Sequence, residues 1–482
     1  MLFNSFPFIF GFLPSVLFAF HFGRSISRRV SLAAVALLSL VFYAMWDPRY
    51  LALLIPSLVI NYLLGEIIAR TRSRGWLVAG IAANLAVIGW FKYSAFFYTT
   101  ATGNEPPDFM RGIVLPLGIS FITFQKIAYL VDIWRGYPKA ESFDRFAFFV
   151  LFFPQLIAGP IVLFRNINRQ INRVRHDDVL LIGSTQLGLT LFAIGLFKKV
   201  VIADSMAVYA DAVWHYSQAP GFTIGFIDAW VGAVSYSLQL YFDFSGYSDM
   251  AIGMARMFGF RLPTNFNSPY QATSIIDFWR RWHMTLSSFF RNYVYIPLGG
   301  NRRGLAMQSA FVLIVFVLTG LWHGAGWTFI VWGSIHGVLV LANHLWLKWS
   351  DWRLPVWLSW PATLGAVIAL WVVFRSPSLG NAATIFAAMA GGTGVVGGAA
   401  LAEVGLYPAA CIVPALVMLA AVTLPNSTVL THRLRHGRVF AGARGRVRHT
   451  HWWVPATVTG IALYLAISSI GNVETKFIYF NF

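Results

Sequence analysis

The sequence predicts an all-α protein that crosses a membrane several times. Of its 482 residues, 57% are hydrophobic and only 11% are charged, and the mean hydropathy is +0.65. Soluble domains are roughly half apolar and about a quarter charged, so this composition excludes a soluble fold. The apolar residues form long runs separated by short basic or turn-rich segments, which is the pattern of spanning helices and not of a β-barrel.

Candidate spans are the runs that approach the roughly 20 apolar residues needed to cross a bilayer. They cover residues 5–22, 30–46, 50–69, 75–98, 112–134, 182–201, 222–244, 308–322, 326–346, 355–374, 406–424 and 452–471. Several are short or interrupted. We therefore expect about 11 true spans, together with re-entrant and interfacial pieces.

The segment 146–164, FAFFVLFFPQLIAGPIVLF, conflicts with simple alternation of spans. It is long enough to cross, but crossing would place the arginines at 165–175 outside, against the positive-inside rule. Pro154 and Gly159 interrupt helical hydrogen bonding. We expect the segment to dip in and return under a cover of protein or beside a water-filled cavity. A kinked spanning helix is the alternative.

The net charge of +18 could suit nucleic acid, but the basic residues are spread between apolar spans. Positive-inside loops and anionic lipid headgroups explain them better, so we expect a lipid bilayer and no nucleic acid as a partner. The basic stretch 431–451 is interpreted as a cytoplasmic loop, with recognition of a nucleotide or acidic partner as the alternative. The single cysteine, Cys411, excludes a disulfide within the chain and is a poor nucleophile in its apolar run.

The segment 235–303 concentrates polar residues among aromatic ones. Asp243 and Asp249 are carboxylates in an apolar context, and the structural interpretation is that they pair with Arg256 or Arg261. Residues 275–300 are predicted to form a basic amphipathic helix lying in the membrane interface, because tryptophan and phenylalanine share one helical face. His283 would lie near the border of that face, where an interfacial histidine is the ordinary interpretation.

His323 stands in the stretch LWHGAGW, between apolar runs. A polar group in such a segment indicates a functional path. The nearby glycines 320, 324 and 326 weaken the helix and let backbone or substrate approach closely, which predicts a break lining a cavity. An imidazole there can act as a general base, as a proton or ion relay, or as a buried structural histidine. These three roles remain open on the residues alone.

Two further histidines follow in the next apolar run. His336 and His344 can be explained by hydrogen bonds to backbone or water. A zinc site needs three or four ligands at suitable spacing, and no His, Cys or Glu stands at i+4 from His323. We expect no metal.

Taken together, these stretches resemble the membrane-bound O-acyltransferases, and among them the bacterial branch of alginate O-acetyltransferase membrane subunits and the related D-alanyl transfer proteins. The similarity extends nearly from end to end. It is carried by NLAVIGWFKYSAFF (84–97), LPLGISFITFQKIAYLVDIWRG (115–136), FFPQLIAGPIV (152–162), YFDFSGYSDMAIGMARMFGF (241–260), FNSPYQATSIIDFWRRWHMTLSSFFRNYVYIPLGGNRRG (266–304), LTGLWHGAGWTFIVWGSIHG (318–337), WVVFRS (371–376) and FIYFNF (477–482). Lys126, inside an apolar span, and the region 381–451 depart from the pattern.

The resemblance implies that His323 is the catalytic histidine and that His283 is the second characteristic polar residue. It implies a ring of about 11 spans around a central funnel, in a bacterial inner or plasma membrane. An acyl donor would arrive from the cytoplasm as a thioester, with acetyl-CoA as the expected substrate and no bound cofactor; residues that hold it are not identified. The acceptor hydroxyl would lie outside, with an extracytoplasmic SGNH-type acetyltransferase-like partner completing transfer to a polysaccharide.

We therefore expect one membrane-embedded acyltransferase domain over 1–482, with a catalytic island at 235–346 and a variable, basic loop region at 375–451. His323 would act as general base on the acceptor hydroxyl, and His283 would orient a substrate or stabilise the oxyanion. The expected activity is exopolysaccharide O-acetylation of the alginate type. The alternatives are D-alanyl or other acyl transfer to a cell-wall polymer, a proton-coupled transporter or flippase, and a non-catalytic scaffold.

Overall fold

The computed structural model describes residues 1–140, 142–157, 159–171, 178–394, 399–406, 411–435, 453–471 and 477–478. Every regular element in these ranges is a helix, as predicted. Side chains within 178–183, 432–435 and 453–455 are not described. The predicted basic loop 431–451 lies outside the described residues from position 436 onward.

The helices follow one another with short connections. Those of the first part are α1 Leu13–Ile26, α2 Arg28–Ala44, α3 Leu51–Thr71, α4 Arg74–Ile88, α5 Ser94–Thr102, α6 Asp108–Arg111, α7 Ile119–Trp134, α8 Phe143–Leu151, α9 Phe153–Leu156, α10 Phe164–Ile171, α11 Asp178–Phe197, α12 Asp204–Tyr216 and α13 Phe226–Met257. Those of the second part are α14 Ile275–Arg281, α15 Met284–Phe290, α16 Ile296–Leu298, α17 Gly304–His323, α18 Trp327–Trp349, α19 Val356–Arg375, α20 Leu379–Met389, α21 Ala399–Glu403, α22 Ile412–Thr423, α23 Ser427–Arg435 and α24 Trp453–Ser469.

Serine side chains mark several of the helix starts. In four helices the hydroxyl before the first turn accepts a hydrogen bond from a backbone N–H three residues later, which satisfies one of the unpaired donors at a helix N-terminus. These capping residues are Ser27, Ser73, Ser274 and Ser378.

Six helical segments among the described residues are long and apolar enough to cross a bilayer. They are Pro7–Ile26, Pro48–Thr71, Arg74–Thr102, Gly304–His323, Trp327–Trp349 and Val356–Arg375. Each coincides with a predicted span. The chain is thus a multi-pass membrane protein, as expected, whereas the total of about 11 spans stays a prediction.

The segment 146–164 is interrupted, as its proline and glycine predicted. Helix α8 ends at Leu151, the short α9 ends at Leu156, and residues 161–163 are not helical. The alternative of one kinked spanning helix is therefore wrong. Phe152, Phe153 and Leu156 are fully buried, so protein covers this irregular backbone, which is the condition for tolerating it at membrane depth.

The described residues form two compact units. The first comprises Met1–Ile194, Tyr247–Thr264 and His451–Thr459, and the second comprises Gly195–Gly246, Asn265–Thr450 and Gly460–Phe482. In the first unit Lys126, which departs from the family pattern, is buried on α7 and donates a hydrogen bond to Ser57 Oγ at 2.5 Å. The second unit contains both predicted site histidines.

The core of the second unit is aromatic. Trp282, Trp332 and Trp371 are almost fully buried, and the ring of Trp371 lies 4.9 Å from that of Trp282 and 5.5 Å from that of Trp332. Aromatic pairs at these distances stabilise a core by more than the burial of their apolar area alone. Trp282 directly follows α14, Trp332 lies on α18 and Trp371 lies on α19, so three helices meet at this cluster. The ring of Trp332 also lies 5.2 Å from that of His323.

Candidate active site

The helix break predicted at LWHGAGW is present. Helix α17 ends at His323, Gly324 and Gly326 are extended, and α18 begins at Trp327. His323 is 2% exposed, although it is the last residue of its helix. Its imidazole therefore lies within protein at the turn between two candidate spans.

The space beside the glycines is filled, which corrects the expectation of an opening there. A Cβ on Gly320 would lie 2.2 Å from the carbonyl oxygen of Phe329, and one on Gly324 would lie 2.1 Å from the Phe329 ring. A Cβ on Gly333 would lie 2.3 Å from the carbonyl oxygen of Phe316. Gly320 and Gly333 thus let the backbones of α17 and α18 pack against each other, and Gly324 leaves room for the ring of Phe329. Packing, and not substrate access, accounts for Gly320 and Gly324.

The predicted continuous helix over 275–300 is wrong. Helix α14 ends at Arg281, Trp282 is extended, and His283 adopts the left-handed conformation with φ 40° and ψ 53°. The chain breaks here because the turn has other backbone partners: the N–H of Met284 donates to the Asn265 carbonyl at 2.9 Å, and the N–H of Asn267 donates to the Arg281 carbonyl at 2.9 Å. Long-range hydrogen bonds thus replace those of a helix.

Nor does the apolar face of this segment lie on lipid. Phe278 and Trp282 are each 1% exposed and pack among aromatic residues of α18 and α19. His283 is completely buried and not at an interfacial border. Burial lowers the pKa of His283 to about 3, so its imidazole is neutral at pH 7.

The structure brings the two predicted site residues together. The ring centroids of His283 and His323 are 6.5 Å apart, with the planes inclined by 62°. Trp322 lies edge-on to both rings, 5.7 Å from His283 and 4.9 Å from His323. Phe244 of α13 packs on His283 at 4.7 Å. Two imidazoles therefore share one buried aromatic environment.

Asn265 holds the His283 turn and was not anticipated from the sequence. Its Oδ1 lies 3.1 Å from His283 Nδ1 and accepts hydrogen bonds from Thr285, from the hydroxyl at 2.8 Å and from the backbone N–H at 3.3 Å. The only local signal was its place in the polar stretch before the resembling motif FNSPY. Nothing in that signal indicated a contact with His283.

His336 is also buried near the pair, on α18. Its Nδ1 accepts a hydrogen bond from Trp279 Nε1 at 3.2 Å, and its ring lies 4.8 Å from that of Trp332. Trp332 in turn lies 5.2 Å from the ring of His323. The predicted hydrogen bond to backbone or water is therefore wrong for His336, whose partner is a side chain. It is confirmed for His344, whose Nδ1 lies 3.0 Å from the Val340 carbonyl oxygen.

Asp243 belongs to a buried ion-pair cluster and not to a pair with arginine. Lys199 Nζ lies 2.9 Å from Asp243 and 2.6 Å from Asp204. The other oxygen of Asp243 accepts the backbone N–H of Ile478 at 2.9 Å. The predicted partners Arg256 and Arg261 are therefore wrong for Asp243. This cluster ties the C-terminal segment to α13, next to Phe244.

A cavity of about 590 Å³ lies against α14, α15, α17 and α18. Apolar side chains such as Val315 and Phe316 form one wall, and Arg280, Arg291 and Ser288 are among its polar residues. Thr319, which also lines the cavity, is one helical turn before His323. The lining therefore combines apolar side chains with arginines, which suits a ligand that has both apolar and anionic groups.

Within the described ranges no group of three or more His, Cys, Asp or Glu residues is placed to hold a metal ion. Two buried imidazoles in an aromatic pocket, of which that of His283 is neutral at pH 7, suit proton transfer to and from a reacting oxygen or sulphur atom. The site thus offers acid–base chemistry from its own side chains.

Comparison with known proteins identifies the family. The model of the membrane-bound O-acyltransferase family matches residues 136–379, which include His283 and His323. A peptidoglycan O-acetyltransferase of Helicobacter pylori is 40% identical over 430 residues, covering 82% of this chain and 81% of that protein. A probable alginate O-acetylase of Pseudomonas aeruginosa is 40% identical over 402 residues, covering 81% and 75%.

A teichoic acid D-alanyltransferase of Bacillus subtilis is 29% identical over 281 residues, covering 55% of this chain and 67% of that protein. The more similar relatives are thus named for O-acetyl transfer. The two relatives at 40% identity are bacterial proteins. The six apolar helices agree with a multi-pass bacterial membrane protein. The chain is an O-acyltransferase and belongs to the membrane-bound O-acyltransferase family.

Proposed function

We propose that this protein transfers an acetyl group from a cytoplasmic thioester, acetyl-CoA, to a hydroxyl acceptor for O-acetylation of a polysaccharide. The observation that carries the proposal is the meeting of His283 and His323, 6.5 Å apart in a buried aromatic pocket. The names of the relatives at 40% identity support acetyl as the group and a polysaccharide as the acceptor. D-Alanyl transfer has weaker support, from relatives near 30% identity.

In the proposed mechanism His323 takes the proton of the acceptor hydroxyl as its oxygen attacks the thioester carbonyl. The new O–C bond forms, the C–S bond breaks, and the proton returns from His323 to the departing thiolate. An imidazole with an ordinary pKa near 6.5 can carry out both steps at neutral pH. His283 would hold one of the two reactants beside His323.

The cavity beside the site supports a donor of this class. Arg280 and Arg291 would bind the phosphates of coenzyme A, since arginine recognises phosphate with several hydrogen bonds. The apolar wall of α17 would accept the thioester arm and lead it towards His323 by way of Thr319. In this mechanism the residues that line the cavity bind the donor, and the proton transfer is carried out by His323.

Several finer expectations belong to the same proposal. They are a ring of about 11 spans around a central funnel, one acyltransferase domain over 1–482 with its catalytic island at 235–346 and a variable region at 375–451, and an extracytoplasmic SGNH-type partner. The similarity between the chain and its O-acetylating relatives supports them.

The test is acyl transfer by the purified full-length protein in liposomes, assayed together with the proposed extracytoplasmic partner. Acetyl-labelled coenzyme A is the donor, and alginate and peptidoglycan fragments are offered as acceptors. His323→Ala should lower kcat about 10²–10⁴-fold, the range for loss of a general base. His215→Ala, at an exposed position on α12, is the matched control and should keep wild-type activity.

Full transfer by His323→Ala, with loss in His283→Ala, would show that the base is misassigned. Absence of label in either polymer, together with proton-driven flux through the wild-type liposomes, would favour a transporter instead.

A further inference from the structure

We propose that Asn265 is a positioning residue: it holds His283 in the tautomer that carries its proton on Nδ1 and leaves the lone pair on Nε2. The juxtaposition of the Asn265 carboxamide with His283 and Thr285 carries this inference. It rests on the proposed function only for the use that acyl transfer makes of His283. The tautomer itself is a property of the folded chain and is measured without turnover.

The orientation of the carboxamide follows from a backbone donor. The N–H of Thr285 points at the Asn265 terminal atom at 3.3 Å, and the Thr285 hydroxyl lies 2.8 Å from the same atom. A backbone N–H can only donate, so that atom must be the carbonyl oxygen and not the NH₂ group. The Asn265 oxygen is therefore set independently of His283.

An amide oxygen can only accept a hydrogen bond, so its contact with His283 Nδ1 at 3.1 Å requires a proton on Nδ1. A neutral imidazole has one N–H, and the other nitrogen then carries the lone pair. Complete burial among aromatic rings, with Phe244 at 4.7 Å and Trp322 at 5.7 Å, disfavours a second proton. Nε2 is thus the basic atom of His283.

The same asparagine holds the backbone that presents the ring. Its carbonyl accepts the N–H of Met284 at 2.9 Å, directly after the left-handed His283. Histidine and asparagine, which are polar and not β-branched, tolerate the left-handed conformation better than most residues. Asn265 therefore forms hydrogen bonds with the His283–Thr285 turn through both its backbone and its side chain.

This tautomer decides between the roles open to His283. An oxyanion stabiliser must donate a hydrogen bond, and neutral His283 has already committed its single N–H to Asn265. Nε2 can instead accept a hydrogen bond from a hydroxyl group. His283 consequently orients the acceptor hydroxyl and does not donate to the oxyanion.

Ring-nitrogen NMR tests the inference on full-length protein in liposomes with ¹⁵N-labelled histidine. The His283 signals are those that disappear in His283→Asn, a substitution that tolerates the left-handed backbone. In the wild-type protein at pH 8, Nδ1 should show a protonated and Nε2 an unprotonated shift. Asn265→Leu, similar in size but without an acceptor, should lose that pattern, whereas Thr285→Val should keep it, because the Thr285 N–H still sets the carboxamide.

Activity gives a second reading. Asn265→Leu should lower kcat at least 10-fold with a smaller change in KM, and Asn265→Asp, which retains acceptor oxygens, should restore much of it. The carboxylate of Asn265→Asp should also shift the titration of His283 to higher pH, which a merely structural role would not do. An Nε2-protonated wild type, or a wild-type pattern in Asn265→Leu, overturns the proposal. If Asn265→Leu does not fold, the wild-type and Thr285→Val spectra still decide it.

The two proposals fail separately. A wild-type protein with the Nδ1–H tautomer but no acetyl transfer would support the positioning role and refute the proposed function. Acetyl transfer with the opposite tautomer would do the reverse.

Discussion

His283 and His323 approach within 6.5 Å of each other, centroid to centroid, although each stands at the end or start of a different helix. His323 reaches the pocket because α17 stops at it, and His283 because the chain breaks between α14 and α15. Two interruptions of regular structure therefore create the pair. Both interruptions are maintained by packing or hydrogen bonds that can be altered one at a time.

The neutrality of His283 gives a prediction for pH. Its pKa is about 3 in the folded protein and about 6.5 when unfolded, so between these values the unfolded state binds the proton and the folded state does not. This contribution to stability is complete above pH 6.5 and is lost as the pH falls. The loss should reach up to about 1.4 kcal/mol per pH unit. Thermal unfolding in detergent at pH 7.5, 6 and 5 measures it.

His283→Asn is the comparison for that series, since it keeps the left-handed turn and removes the titrating ring. Its unfolding temperature should fall less between pH 6 and pH 5 than that of the wild-type protein. Equal slopes would mean that His283 is charged in the folded state.

Gly320→Ala should separate α17 from α18. Its Cβ would lie 2.2 Å from the Phe329 carbonyl oxygen, which is backbone and cannot rotate away. We expect a destabilisation of about 1–3 kcal/mol, the usual cost of overpacking, and lower acyl transfer because His323 follows on the same helix. Thermal unfolding and the labelled acetyl assay report the two effects.

Gly326→Ala is the matched control for this substitution. Gly326 is extended at φ −166°, and a Cβ there meets its nearest atom at an ordinary 3.5 Å. Its stability should stay within about 0.5 kcal/mol of the wild type. A similar loss in both variants would show that the helix break itself, and not the close packing of α17 and α18, requires glycine.

Asp243→Asn should destabilise the protein strongly. The carboxylate is buried with Lys199 and also accepts the N–H of Ile478. Lys199 keeps Asp204 as its partner, so no charge is left unpaired, and the loss of one charged hydrogen-bond partner should cost about 1.5–3 kcal/mol. Asp211→Asn, which breaks the more exposed ion pair with Arg375, should cost only about 0–1 kcal/mol. Chemical unfolding in detergent ranks the two variants, and equal losses would contradict a special role for the buried cluster.

Arg291→Gln should weaken binding of the donor without changing the chemistry. If Arg291 contacts a coenzyme A phosphate in the cavity, KM for acetyl-CoA should rise about 10-fold, equivalent to about 1.4 kcal/mol, with kcat nearly constant. The effect should shrink at high salt. Arg353→Gln, at an exposed position outside the cavity lining, is the control. An unchanged KM in both Arg291→Gln and Arg280→Gln would place the donor elsewhere.

Local sequence signals predicted the parts of this protein that depend on local energetics. A run of apolar residues long enough to cross a bilayer is costly anywhere else, so the six helices suited to span coincide with predicted spans. Likewise Pro154 and the glycines around His323 weaken helical hydrogen bonding by themselves, and both breaks are present. The assignment of His323 and His283 as site residues required the resemblance to a known family, because the residues alone left the base, relay and structural roles of His323 open.

Tertiary structure decided what depends on partners distant in sequence. The amphipathic pattern of 275–300 is compatible with a continuous helix, and only the hydrogen bonds from Met284 to Asn265 and from Asn267 to Arg281 show where it stops. Lys199 replaced arginine as the partner of Asp243, and Phe329 filled the space that the glycines leave. Hydropathy and backbone preference act over a few residues, so the sequence determined a membrane-spanning helical chain with a costly buried histidine. The partners of that histidine depend on contacts formed only when distant segments pack together.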